Sequence, residues 1–253
     1  MQSPLPNTFR QKILACERQI GFWMGMSHHV TAEMAGLAGF DWLMLDGEHA
    51  PADIPIFLQM LQSLQLSPSA IVGRPSVNDP VLIKQFLDIG FYNLLIPFIE
   101  SADEAQRAVS ATRYPPQGIR GVAMAHRGNR YGTVPDYLST INDNICLLLQ
   151  IESAGGIDAI DDIAAVPGVD GIFIGPSDLS ASLGYMGNPN HPEVQRVIKH
   201  LFDRARAAGK AVGTLAPVQA DAQRYLDMGM HFVAVGTDVG VFRQAMAALR
   251  KAF

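Results

Sequence analysis

Short runs of apolar residues alternate along this chain with stretches in which apolar side chains return every three to four positions. The first pattern marks strands buried on both faces, and the second marks amphipathic helices. Strands are predicted at 20–24, 42–46, 70–74, 93–97, 145–151, 171–175, 211–215 and 232–236. Helices are predicted at 54–66, 80–88, 103–112, 192–208, 220–228 and 240–250. Asp79-Pro80 opens one helix, and Gly90, Gly209 and Gly229 each close one,. Eight strands alternating with helices predict a parallel sheet closed into a single (β/α)8 TIM barrel domain over 1–253. The rival is an open doubly wound sheet, and the lack of a GxGxxG after an early strand counts against it. Two pieces fall outside eight plain units. Residues 9–17 read as an extra N-terminal helix that plugs the barrel bottom. Residues 114–137, after the fourth βα unit, form a long Gly-rich, basic loop, longer than connection alone requires,.

Composition narrows the function classes. With 253 residues, 48% of them hydrophobic, the chain can bury a large core,. A net charge of −5 does not suit a nucleic-acid surface, which needs clustered Lys and Arg,. The two cysteines, Cys16 and Cys146, form no CxxC or Cys/His cluster, which argues against a zinc-thiolate site or a disulfide framework,. No apolar run is long enough to span a bilayer, and residues 1–10 lack the core of a signal peptide,. The expectation is a soluble cytoplasmic protein.

In such barrels chemistry sits at the C-terminal ends of the strands. There the chain carries Asp46-Gly47-Glu48-His49, Arg74, Gln150-Ile151-Glu152-Ser153 and Gly175-Pro176-Ser177-Asp178. Glu152 and Asp178 fall at comparable points on adjacent strands. Two carboxylates so close repel unless a cation lies between them. All-oxygen ligation favours Mg²⁺ or Mn²⁺ over zinc. The alternative is that one carboxylate caps a helix and the other pairs with arginine. Gln150 lies two residues before Glu152, so both face one side, and its amide either donates to a ligand oxygen or bonds to backbone. The turn at Ser177 grips a carboxylate or merely caps a helix. His49 is the candidate proton acceptor among seven histidines,. His28, His29, His126, His191, His200 and His231 read as surface, capping or packing residues. Arg74 either stabilises developing negative charge or forms a salt bridge with Asp46 or Glu48. Arg120, Arg127 and Arg130 give the long loop a basic tip, which either binds a distal carboxylate or is simply solvated.

Together these segments resemble the HpcH/HpaI aldolase family of metal-dependent, class II pyruvate aldolases, over nearly the whole chain. The carriers are Gly39-Phe40-Asp41-Trp42-Leu43-Met44-Leu45-Asp46-Gly47-Glu48-His49-Ala50-Pro51, Leu87-Asp88-Ile89-Gly90, Thr112-Arg113-Tyr114-Pro115-Pro116, Gln150-Ile151-Glu152-Ser153 and Gly171-Ile172-Phe173-Ile174-Gly175-Pro176-Ser177-Asp178-Leu179. The resemblance implies Glu152 and Asp178 as metal ligands, with Mg²⁺ as the cofactor and Mn²⁺ or Co²⁺ as substitutes. It implies that Gln150, Ser177 and Asp178 contact the pyruvyl part of the substrate. His49 would accept the proton, Arg74 would stabilise the transition state, and Asp88 would raise the basicity of His49. A homohexamer, a trimer of dimers, is also implied. Residues 90–98, 126–129 and 232–243 are most similar to the branch acting on 2-dehydro-3-deoxyglucarate, which is cleaved to pyruvate and tartronate semialdehyde. Branches acting on 2-keto-3-deoxy-rhamnonate or 4-hydroxy-2-keto-heptanedioate share the core motifs.

Asp88 ends a helix at the barrel bottom whereas His49 is at the top. Contact within one subunit is therefore not expected, and Asp88 is assigned to the His49 of a neighbouring copy, with Asp46 as the alternative partner in the same chain. Schiff-base chemistry needs a buried lysine at a strand end. Lys12, Lys84, Lys199 and Lys251 are helical and Lys210 precedes a strand, so none is placed for it. Arg127 or Arg130 is the expected partner of the substrate's distal carboxylate. A CoA-thioester lyase of the same superfamily and a non-catalytic metal-binding barrel are the readings of other classes.

Overall fold

The computed structural model describes residues 5–253. Eight parallel strands close in chain order into a barrel. They are β1 (Gln19–Met24), β2 (Trp42–Asp46), β3 (Ala70–Arg74), β4 (Asn93–Ile96), β5 (Cys146–Ile151), β6 (Gly171–Ile174), β7 (Ala211–Leu215) and β8 (Phe232–Thr237). Around them lie α1 (Thr8–Leu14), α2 (His29–Gly36), α3 (Ile54–Ser63), α4 (Pro80–Ile89), α5 (Ala102–Thr112), α6 (Tyr137–Thr140), α7 (Ala154–Asp158), α8 (Ile160–Ala165), α9 (Pro176–Ser182), α10 (Pro192–Ala207), α11 (Gln219–Met228) and α12 (Asp238–Lys251). Among the described residues no helix is long and apolar enough to cross a membrane.

Strand alternation sorts the side chains into two cores. Trp23, Trp42, Met44, Val72, Leu148, Phe173 and Phe232 fill the barrel interior. Leu43, Leu45, Leu94, Ile96, Leu147, Leu149 and Ile151 face the helices. The period of two carries the inward row on to Asp46, Arg74, Gln150 and Glu152 at the strand tops. A barrel interior filled by side chains is a packed floor, not a pore. Gly21 is needed there, because a Cβ would fall 2.1 Å from the Trp42 ring. At the bottom Phe9 of α1 lies 6.0 Å from Trp42 and 6.1 Å from Phe232, ring to ring.

Helix limits follow local chemistry. The Asp79 carboxylate accepts from the amides of Val81 and Leu82 at the start of α4. Gly90 closes that helix in the left-handed region, φ 106°, which costs a glycine nothing,. Cys16 lies just beyond α1 rather than within a helix.

Helix α12 departs from the expectation for an eighth barrel helix. Its apolar stripe Val239, Phe242, Met246 and Leu249 is about half exposed or more, and Asp238 at its start is its only buried residue. By contrast α10 buries Val194, Val197, Ile198, Leu201 and Ala205.

Candidate active site

The β2–β3 register sets Asp46 opposite Arg74. The guanidinium forks onto the carboxylate, with Nε donating to Oδ1 at 2.9 Å and Nη2 to Oδ2 at 2.7 Å. Trp23 Nε1 donates to Oδ2 at 3.0 Å, and the Glu48 and His49 amides donate to Oδ1 at 2.9 and 3.3 Å. Burial alone would raise the Asp46 carboxyl, but the bonds and charge of Arg74, with Trp23 and the Glu48 amide, hold it below its ordinary value,. Arg74 also meets Glu48 at 2.6 Å and lies over the Trp23 ring at 4.8 Å. Its Nη1 points toward Gln150 Oε1, 3.5 Å away. The two readings of Arg74 therefore coexist: it is salt-bridged to both acids, and it faces the site from that fixed position. Asp46, by contrast, has spent both oxygens and holds the His49 backbone rather than its ring.

Glu152 is 1% exposed. It accepts from the Phe98 amide at 3.0 Å and from the Gln150 side chain. Gln150 thus offers its donor to Glu152, not to backbone. Among the described residues no Lys, Arg or His is ion-paired with Glu152. Burial raises its pKa most; the bonds from Gln150 and Phe98 lower it, Glu48 and Asp178 raise it further, and the net value is about 7. Gly175 lies directly against it, for a Cβ there would fall 2.6 Å from Glu152 Oε2. The register of β5 and β6 pairs Ile151 with Ile174, so Asp178 is not at a matching strand position but in the first turn of α9. A buried carboxylate with acidic neighbours and a glycine-cleared flank fits a divalent cation bound through oxygen. No cage of three or more His, Cys, Asp or Glu exists among the described residues, so a cation here would draw most of its ligands from water and substrate rather than from the chain,.

A cavity of about 280 Å³ opens at Asp178; Glu152 does not line it but is joined to it through Gln150 and Gly175, which do. It brings together His49, Arg74, Gln150, Ser177 and Asp178, with Trp23, Phe173, Leu215 and Val239 as apolar wall. Exposed at the rim, His49 has no hydrogen bond to its ring among the described residues. The pattern reading missed Trp23 and Asp238. Asp238 accepts from the amides of Gly25 and Met26 at 2.8 and 3.0 Å and ties β1 to β8 over the cavity. The strand-end rule that found Glu152, applied to β8, points to Thr237 and Asp238 equally well.

Asp88 lies apart from the cavity, at the bottom end of α4. The long-loop arginines are also elsewhere, which corrects the expectation of a basic tip over the substrate. Arg120 is buried and pairs with Asp88 at 2.7 Å. Arg127 donates to the carbonyls of Ile89 and Leu61 at 2.8 and 3.1 Å. With Arg130 it borders a separate groove beside α1 and Asn93. Within one chain neither reaches a ligand in the cavity. The loop packs down because the C-terminal turns of α3 and α4 leave the carbonyls of Leu61 and Ile89 at the bottom, and the Arg127 guanidinium satisfies both,. His126 belongs to this lower cluster, His28 and His191 cap helices, and His231 accepts from the Val212 amide at 3.1 Å.

Known proteins resemble this chain in sequence and fold. Two curated relatives are named 5-keto-4-deoxy-D-glucarate aldolase. The one from Enterobacter sp. (strain 638) is 58% identical over 248 residues, which is 98% of this chain and 97% of the relative. The one from Escherichia coli O139:H28 is 57% identical over 98% of this chain and 97% of its own length. A crystal structure of an HpcH/HpaI aldolase/citrate lyase family protein from Burkholderia cenocepacia J2315 superposes with a TM-score of 0.94 at 37% identity, covering 97% of this chain and 99% of the other. The family model for HpcH/HpaI aldolase/citrate lyase matches residues 19–245. That span runs from the first strand into the last helix and includes every residue of the cavity just described, so the chain belongs to the HpcH/HpaI aldolase/citrate lyase family.

Proposed function

We propose that this protein is a class II aldolase that cleaves 5-keto-4-deoxy-D-glucarate (equally, 2-dehydro-3-deoxyglucarate) reversibly to pyruvate and tartronate semialdehyde. One observation carries the reading: the buried Glu152, beside acidic neighbours and without a cationic partner, is bonded to Gln150, which lines a cavity that also presents His49, Arg74 and Asp178. The 58% identical relative, named for this substrate, gives the substrate class. Glu152 and Asp178 hold the metal, Mg²⁺ with Mn²⁺ or Co²⁺ as substitutes, and when bound it polarises the keto oxygen as a Lewis acid. Gln150 and Ser177 orient the keto-acid end, together with Asp178. His49 takes the proton from the hydroxyl on the far side of the bond that breaks. Departure of the aldehyde leaves negative charge on the keto-acid fragment, and Arg74, fixed by Asp46 and Glu48, faces that charge. Protonation of the methylene carbon yields pyruvate.

The reading includes a shared site. Asp88 is far from its own His49 and serves a neighbouring copy, raising the basicity of that imidazole. Assembly of copies, as a trimer of dimers in the cytoplasm, is part of the proposal. Its support is α12, whose stripe at positions 239, 242, 246 and 249 repeats every three to four residues and finds no cover in its own chain,. A second copy of this chain is the occupant to which the proposal commits.

The test is direct. The purified protein is offered a panel of 2-keto-3-deoxy acids with Mg²⁺, and pyruvate is coupled to lactate dehydrogenase. The expected result is fastest release from 5-keto-4-deoxy-D-glucarate, lost in EDTA and regained with Mg²⁺. Release that is indifferent to EDTA, or absent from every acid of the panel, removes the proposal.

A further inference from the structure

The lower cluster contains more than Asp88. Arg120 has a side chain with 0% exposure, an expensive place for a guanidinium,. The chain goes to some length to bring it there. Gly118 packs so tightly that a Cβ would fall 2.2 Å from the Ser110 carbonyl, and the Ile119 and Arg120 amides donate to the Ser110 and Arg113 carbonyls. The guanidinium lies over the Tyr114 ring at 4.4 Å. Its Nη2 donates to Asp88 Oδ1 at 2.7 Å, and among the described residues Asp88 is its only ion-pair partner. His126 Nε2 is 3.9 Å from the same oxygen, and its Nδ1 lies 3.2 Å from the Asp88 carbonyl. Burial keeps that imidazole below its ordinary pKa, although Asp88 pulls the other way, so near neutral pH it adds no second positive charge. Tyr137 packs on the His126 ring, and Lys84 lies one turn before Asp88 on α4.

The other carboxylate oxygen, Oδ2, has no hydrogen-bond or ion-pair partner among the described residues, and the Asp88 side chain stays 23% exposed. Beside it the loop exposes Ile119, Val122 and Met124, each by more than half. One oxygen is thus held by the buried Arg120, while the other keeps its acceptor capacity on a partly exposed side chain.

We infer that Arg120 is a positioning residue for catalysis in a neighbouring copy: it fixes one oxygen of Asp88, so that the other oxygen meets that copy's His49. The inference rests on the shared-site reading above. A structural arginine could sit in any anionic hole, but an arginine acting through Asp88 has no effect once Asp88 is neutral.

Three arms test it, with Mg²⁺ and saturating substrate. Arg120→Met should lower kcat about 10- to 100-fold, the usual size for a residue that orients a catalytic group, with KM little changed, and Arg120→Lys should recover part of the loss. In an Asp88→Asn background, Arg120→Met should cost nothing further. Mixed oligomers complete the set. Arg120→Met chains combined with His49→Asn chains should regain activity, because one site then has an intact His49, Asp88 and Arg120. Arg120→Met combined with Asp88→Asn should not. If Asp88→Asn and His49→Asn fail to complement each other, the shared-site reading falls. If they do complement and Arg120→Met does not complement His49→Asn, or if it adds a loss in the Asp88→Asn background, only the role of Arg120 is overturned. Arg120→Lys carries the same tests should the methionine variant fail to fold.

Discussion

Two arginine–aspartate pairs, each with a buried arginine, lie at opposite ends of this barrel, and they are built differently. In the upper pair Arg74 forks onto Asp46, and Trp23 and two backbone amides take up the remaining lone pairs. In the lower pair Arg120 grips one oxygen of Asp88 and leaves the other open. The closed pair is a scaffold, since a carboxylate with both oxygens spent cannot also orient an imidazole. The open pair has unused acceptor capacity at the surface. On the proposed shared-site reading, the chain holds Arg74 for its own site and offers Asp88 to another. Proximity in sequence misleads here: Asp46 is three residues from His49 and serves its backbone only.

Breaking the closed pair should have the largest effect. Arg74→Met leaves Asp46 and Glu48 buried without their counter-ion, so kcat should fall by about 10²–10³ and stability by about 3–5 kcal/mol. Steady-state kinetics and urea melts read the two. Asp88→Asn keeps an amide oxygen to accept from Arg120 Nη2 at a side chain that is partly exposed, so a clear loss of kcat should come with a smaller loss of stability than at Arg74,. Equal stability losses at the two sites would erase the distinction drawn between them.

Assembly supplies the next prediction. Phe242→Asp with Met246→Glu should yield smaller species on size exclusion, because the α12 stripe no longer accepts an apolar partner. Activity should fall by no more than about the 10- to 100-fold expected for Arg120→Met, since each chain keeps its own His49, Arg74 and Glu152. An unchanged elution volume removes α12 from the interface. For comparison Leu201→Ala on α10, whose stripe is covered within the chain, should cost about 2–5 kcal/mol and leave assembly intact.

Glu152 gives a pH prediction. Its folded pKa, about 7, lies above its ordinary value, so between roughly pH 4.5 and 7 the metal-free folded state holds a proton that the unfolded state has lost,. This contribution to stability is present at low pH and is lost as pH rises through 7. Thermal melts of the metal-free protein should show it, and Glu152→Gln should flatten that part of the profile. Metal affinity runs the opposite way and should weaken as pH falls below 7, because proton and cation compete for one carboxylate. A profile that Glu152→Gln leaves unaltered contradicts the value.

The smallest effect is expected at Trp23→Phe. It removes one N–H from Asp46 and keeps most of the ring under Arg74, so stability should fall by about 1.5–3 kcal/mol. Little change in KM should accompany it, because Arg74 keeps both bonds of its fork.

Much of the barrel was legible in the pattern. Parallel strands buried on both faces read as unbroken apolar runs, and Gly90, Gly209 and Gly229 punctuate the helices for a backbone reason. The upper site was legible for a related reason: a polar residue at the end of an apolar run, such as Gln150, has only the barrel mouth to point into. Asp178 was found by the same signal but misplaced, because the strand ends at Ile174 and the acid rides on the following turn. Arg120 and Arg127 were misjudged. A basic loop looks solvated in sequence, and nothing in spacing tells which carbonyls or carboxylates lie within reach once the loop folds back.

By itself the sequence determined the order of strands and helices, the inward row of side chains and the set of groups available for chemistry. These depend on periodicity, which is local. Only the tertiary structure decided that Asp46 is spent on Arg74, that Asp88 keeps an oxygen free and that α12 finds no cover in its own chain. Those outcomes depend on distances between residues far apart in sequence, and such distances exist only once the barrel has closed.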